Sequence, residues 1–243
     1  MGGGSSFLWD MDNDSIELVK LPGGSAPVRW RRSKQARRVS LRIDPRGGAV
    51  IITLPQRAAR ASGMALLVDQ ADWVAARLQA LPQRVNFVDG VSVFLNGEPH
   101  RIRHVALGRA GVQVEEGEIR VSGGVEFMPR RVSDFLRAEA KRSLVPQAVA
   151  KAALIGARPA RVSLKDTSSR WGSCTSSGNL AFSWRLVMAP VYVQDYVVAH
   201  EVAHLAHMNH SARFWSLVSD LTPHTKTAMA WLRSEGLQLL RVG

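Results

Sequence analysis

The chain has 243 residues, 46% of them hydrophobic, enough for one large domain or two small ones around a real core. Its longest apolar runs, such as residues 49–54, fall far short of the roughly 20 residues a membrane helix needs, and its one cysteine, Cys174, excludes an internal disulfide framework and a cysteine-based zinc knuckle. Lys plus Arg exceed Asp plus Glu by 32 to 20, a formal charge of +12 that favours anionic partners or, more blandly, keeps a basic surface solvated.

Residues 1–25 are rich in Gly, Ser and Asp without any period and predict a flexible tail. They lack the basic start and continuous apolar stretch of a secretion signal, so the expected location is the cytoplasm. Residues 28–55 then alternate, with Val39, Leu41 and Ile43 on one face and Arg38, Ser40 and Arg42 on the other, and "DPRGG" as the turn of a β-hairpin. Next, Leu66, Leu67, Trp73, Val74 and Leu78 recur at helical spacing until Pro82. Turn signals at Asn96-Gly97, Gly108 to Gly111 and Gly117 separate four short strands of a small antiparallel sheet.

From Pro129 the pattern is helical, with Phe135, Leu136, Ala140 and Leu144 on one stripe and Pro146 as an expected bend. Strand-like runs follow at 161–165, 169–174 and 179–187, the last two joined by "TSSG", and two helices close the chain after the segment "VVAHEVAHLAHMNH". The expected class is therefore α+β. A tail (1–25) and a small antiparallel β-rich domain with one helix (26–125) lead to a domain (126–243) whose β-hairpin packs on the histidine-bearing helix.

That segment, residues 197–210, places four of the chain's seven histidines beside a glutamate. On a helix, His200 and His204 project from one face one turn apart, a spacing that suits two nitrogen ligands on one zinc at about 2.0–2.1 Å each. Glu201 then stands beside the metal, where a carboxylate can take a proton from an activated water; His-Glu-x-x-His is the pattern of a zinc peptidase. Two histidines and an acid in an apolar helical turn cost several kcal/mol to bury without a partner, and a metal supplies one.

A catalytic site usually has three protein ligands. His207 lies about 10.5 Å of helical rise from His200 if the helix continues, which makes a poor tetrahedron. His210 is favoured, because Asn209 tolerates the left-handed conformation and can turn the chain back, and Ser211 can cap the next helix. Glu235, Asp220 and His224 are the other candidates.

His200-Glu201-Val202-Ala203-His204 followed by Asn209-His210-Ser211 and Phe214-Trp215 resembles the signature of the YgjP-like metallopeptidases, relatives of the WLM and SprT-like proteases. The upstream "SSRWGSCTSSGNLAFSWRLVMAP" is similar to that family's other hallmark, and the likeness runs from about residue 28 to the end. The resemblance implies a zincin-like catalytic domain and a single Zn2+ held by His200, His204 and His210. It also implies Glu201 as the base, and peptide or protein substrates. Val202 stands where relatives usually carry Leu, a small change.

The hairpin ahead of the helix offers a strand edge on which an extended substrate can pair, so Arg170, Trp171, Gly172 and Ser173 are candidate substrate-binding residues. Arg170 and Arg185 can bind a carboxylate, orient an oxyanion or make structural ion pairs. Cys174, Tyr192, Tyr196 and Trp184 read more simply as core. The rival reading is a nucleic-acid partner for residues 29–42, which hold six arginines and a lysine around Trp30.

Overall fold

The computed structural model describes residues 16–22, 24–106 and 111–243, which divide into two compact units between Leu81 and Pro82. This division falls earlier in the chain than the expected boundary near residue 126, and the difference lies in which helices cover which sheet.

The first unit opens with β1 (Ile16–Leu21), β2 (Gly24–Ser33), β3 (Ser40–Asp44) and β4 (Ala49–Pro55). They form one sheet of order β1-β2-β4-β3. The expected tail thus ends early, since Ile16 to Leu21 pair with Arg29 to Gly24; residues 1–15 lie outside the described residues. The β3–β4 hairpin forms as expected, but β2 runs parallel to β4 beside it. Alternation puts Ala26, Val28 and Trp30 on the inner face with Val50, Ile52 and Leu54. Over that face lie α1 (Arg60–Asp69) and α2 (Ala71–Gln79), through Leu67 and Val74. The single helix expected here is broken at Gln70, whose ψ of 17° leaves the helical basin, and Trp73 is exposed.

The second unit begins with β5 (Ser92–Leu95), β6 (Glu98–Val105), β7 (Val112–Glu115) and β8 (Glu118–Ser122), in the order β5-β6-β8-β7. This sheet is mixed, because β6 and β8 pair in parallel; the residues 107–110 of one expected turn lie outside the described residues. Its inner residues Ile102, Ile119 and Val121 join the core of α3 (Met128–Leu154). That helix buries Met128, Val132, Leu136, Ala140, Leu144, Ala148 and Ala152. A stripe recurring every fourth residue keeps one face inward over 27 residues, and the helix continues through Pro146. Because the sheet buries its face on α3, it belongs with the second unit.

Three more strands follow: β9 (Arg161–Lys165), β10 (Gly172–Cys174) and β11 (Asn179–Ser183), ordered β10-β11-β9 with β10 at the edge. Residues 184–188 form a 3₁₀ turn instead of extending the strand. Then come α4 (Val191–Ala203), α5 (Ala212–Leu221), α6 (Thr225–Ser234) and the short α7 (Gly236–Leu239). None of the described helices is long and apolar enough to cross a membrane.

Candidate metal centre

The helix α4 is buried along nine of its 13 residues, so its valines, poor helix formers alone, are held by packing. Its N-terminus is clamped by the β5–β6 turn. Asn96 (φ 55°) and Gly97 (φ 86°) take left-handed conformations, and a Cβ on Gly97 would stand 2.8 Å from Pro190 Cα. The buried Gln194 donates to Asn96 Oδ1 at 3.0 Å and to the Ala189 carbonyl at 2.9 Å, and accepts from Ser143 Oγ at 3.2 Å. The next residue, Asp195, pairs with Lys151 at 2.8 Å and accepts from Thr222 Oγ1 at 2.5 Å, tying α4 to α3 and to the end of α5.

The histidine motif occupies the last turn of this fixed helix, with His204 as the C-cap. Hydrogen bonds from the backbone N–H of Ala206 and His207 to Ala203 O then reverse the chain. Asn209 is not left-handed, since Asn96 and Glu116 are the non-glycine residues of positive φ among those described; the reversal comes from these turns instead. Ser211 caps α5 as expected, accepting from Phe214 N.

The result is that one ring nitrogen from each of His200, His204 and His210 lies within 4.8 Å of the others, a set that can hold a metal ion. His200 and His210 turn their Nε2 atoms toward each other at 3.2 Å, about the separation of two nitrogens sharing one ion at 2.0–2.1 Å. The Nδ1 of His204 bonds the His207 carbonyl at 3.0 Å, leaving its Nε2 for the cluster. Beneath all three lies Phe214, fully buried, its ring centroid 5.0, 4.5 and 4.7 Å from those of His200, His204 and His210. Trp215 flanks His200 and His210, at 5.8 Å from each.

Burial, reinforced by the neighbouring His204 and His210, lowers the pKa of His200 to about 4. His204 is also lowered by burial, against the pull of its bond to the His207 carbonyl. Both rings are thus neutral donors near pH 7, the form a metal requires. Glu201 goes the other way: burial raises it to about 7, and nearby Arg170 pulls it down. Its side chain lies against Gly172, where a Cβ would stand 2.5 Å from Cγ and 2.6 Å from Oε1. The glycine of "RWGSC" is therefore required by the carboxyl.

Arg170, Gly172, Ser173 and Cys174 line one side of a cleft of about 400 Å³, with the three histidines, Glu201 and Met208 completing it. Trp171 packs on the core, its carbonyl accepting from Ser183 N at 2.8 Å. Cys174 is half-buried, and burial followed by Glu201 raises its thiol, the opposite of an activated nucleophile. Burial likewise raises Tyr196, whose ring meets His200 edge-on at 5.9 Å. Tyr192 packs beside His224, 6.0 Å away, and neither joins the cluster. Glu235 bonds Gln238, Asp220 is exposed, and His207 contributes its carbonyl.

The two arginines separate. Arg185 is buried, paired with Asp166, and stacked at 4.3 Å on Trp184, whose other arginine neighbour, Arg137, also binds Asp166. It is structural, and Trp184 is core, as expected. Arg170 stays exposed at the cleft. Sequence reasoning met Phe214 only as part of the family signature, with no role of its own, and did not single out Gln194; a phenylalanine three residues after a helix cap reads as ordinary amphipathic core.

Three convergent histidines beside a buried carboxyl and an open strand edge are the arrangement of a metal-dependent peptidase. The chain belongs to the YgjP-like family: the model of the YgjP-like metallopeptidase domain matches residues 37–235. No curated protein and no solved structure matches the chain.

Proposed function

We propose that the protein is a zinc peptidase in which His200, His204 and His210 hold one zinc ion and Glu201 is the general base. The observation that carries this reading is the convergence of the three imidazoles with the Glu201 carboxyl in one cleft beside the edge strand β10. When bound, the ion supplies Lewis acidity that activates a water and polarises the scissile carbonyl.

The rest is work for the chain. The His207 carbonyl holds the ring of His204 in one tautomer, and Phe214 fixes the planes of all three rings. The Glu201 carboxylate takes the proton of the attacking water and delivers it to the leaving amine; a pKa near 7 suits both transfers. The free edge of β10 pairs with an extended peptide, as in β-augmentation, and presents its carbonyl beside Glu201. Metal analysis together with peptide digestion tests the proposal: one zinc per chain is expected, with His204→Ala losing zinc and hydrolysis together. A His204→Ala protein that kept its turnover would refute it.

The nucleic-acid alternative rests on fewer groups than the charge run suggests. Arg32 donates to the carbonyls of Pro55, Gln56 and Ala58, at 3.3, 2.9 and 2.9 Å, so it braces the first unit's loop. Arg31, Arg32, Lys34, Arg37, Arg38 and Arg42 are the exposed cations of this segment, and of these Arg32 is engaged with those carbonyls.

A further inference from the structure

Once the histidines and Glu201 are assigned to metal and proton, the cleft retains one charged side chain among its lining residues, Arg170. The strand edge beside it offers only Gly172, Ser173 and Cys174, too small to select a substrate by filling a pocket. Arg170 is exposed and makes no side-chain hydrogen bond or ion pair among the described residues, whereas Arg137 and Arg185 are both held by Asp166. Its backbone is nonetheless anchored, because its carbonyl accepts from Thr167 Oγ1 at 2.6 Å. A guanidinium whose charge is felt by Glu201 but which has no hydrogen-bond partner among the described residues, on an anchored backbone at the cleft, is a preorganised fork for a carboxylate.

Its reach follows from the strand. Gly172 marks the level of the Glu201 carboxyl, and Arg170 lies two residues upstream, just before the strand and across the bend at Trp171, so the two backbones are at most roughly 6–7 Å apart. A peptide paired on this edge passes the guanidinium within two residues of the bond opposite Glu201. Arg233, whose charge is felt at Tyr196, adds to the positive character around the site.

We propose that Arg170 is a carboxylate-binding subsite, so that the enzyme prefers peptides bearing an acidic group within two residues of the cleaved bond. This inference rests on the peptidase reading above. The carboxylate can come from a Glu or Asp side chain or from the peptide's own C-terminus.

The test uses peptide pairs differing only as Glu against Gln at each of the two positions on either side of the bond, each with a free or an amidated C-terminus. The zinc-loaded full chain and its Arg170→Ala and Arg170→Glu variants are compared by the ratio of kcat/KM within each pair, which does not depend on how much of each preparation is active. The native protein should favour the acidic member about 10- to 100-fold, the range of a charge-assisted hydrogen-bonded pair. Arg170→Ala should bring the ratio near one, and Arg170→Glu should shift preference to Lys-containing peptides. Preference confined to free C-termini identifies the terminal carboxylate, and preference kept in amidated peptides identifies the side chain; either supports the subsite. A native ratio near one, or a ratio unchanged in Arg170→Ala, overturns it. Failure of the native protein to cleave any peptide would overturn the peptidase reading instead. In that event, equilibrium binding of the same pairs to the Glu201→Gln protein, with and without Arg170→Ala, decides the subsite separately.

Discussion

The sheets β1–β4 and β5–β8 are built alike: the same strand order, a parallel central pair, and an antiparallel hairpin on each side. They differ in what covers them. The first closes its core with its own α1 and α2, and its turns carry the basic segment. The second gives its inner face to α3 and its β5–β6 turn to α4, so Asn96 and Gly97 hold the helix that ends in the histidine motif. One topology therefore serves as an independent unit or as part of a catalytic support, and the covering helices decide which.

The comparison predicts that sensitivity of catalysis is concentrated in the second unit. The largest effect belongs to Glu201→Gln, which should keep its zinc and lose about 10²- to 10⁴-fold in kcat, the usual contribution of a general base. Turnover within threefold of native would remove Glu201 from the mechanism. Gly172→Ala should follow at about 10²-fold, since the new Cβ displaces the carboxyl while the histidines keep their metal; a crystal structure of the variant with Glu201 unmoved would contradict this.

Phe214→Leu tests the floor under the rings. Zinc affinity should fall about 10- to 100-fold in competition with a chelator, as for other losses of support around metal ligands. A smaller effect sharpens the contrast between the sheets. Asn96→Ala should cost about 1–3 kcal/mol in denaturant unfolding, by leaving Gln194 short of a partner, and should lower kcat/KM as well. The matched change in the other sheet, Gly48→Ala at φ 64°, should cost about 1 kcal/mol and leave kcat/KM alone. Equal effects on catalysis from both turns would erase the distinction.

Acid–base behaviour of the metal-free protein gives the smallest and most specific signal. Between pH 4.5 and about 7 the unfolded Glu201 has released a proton that the folded carboxyl retains, so this group destabilises the fold as pH rises. His200 acts oppositely from pH 6.5 down to about 4, where the unfolded ring takes a proton that the folded one refuses. Metal-free Glu201→Gln should therefore gain stability relative to metal-free native protein as pH is raised from 4.5 to 7. A constant difference in thermal midpoint across that range would count against the buried carboxyl.

Much of the site was legible because its core is local. Residues four apart on a helix share a face wherever that helix lies, so the pairing of His200 with His204 follows from spacing, and Glu201 beside them from the His-Glu-x-x-His pattern. His210 was favoured for the wrong conformational reason: the chain reverses through turns anchored on Ala203, with Asn209 outside the left-handed region. Strand positions were also readable from alternation and turn residues, as at Asn96-Gly97. Alternation shows that a segment is a strand and which face is apolar, but not which strand lies beside it. The parallel pairings of β2 with β4 and of β6 with β8 were therefore hidden, as was the boundary at residues 81 and 82.

What the sequence determined by itself was chemistry set over one or two helical turns: two imidazoles, a carboxyl between them, and a cap for the next helix. Tertiary structure decided everything that depends on distant segments meeting. It brought His210 back to His200, slid Phe214 beneath the rings, set Gly172 against Glu201, and left Arg170 exposed at the cleft while burying Arg185. The physical reason is range. Helical spacing is dictated by backbone geometry within a few residues, whereas burial and pairing are dictated by which surfaces find each other when the core closes.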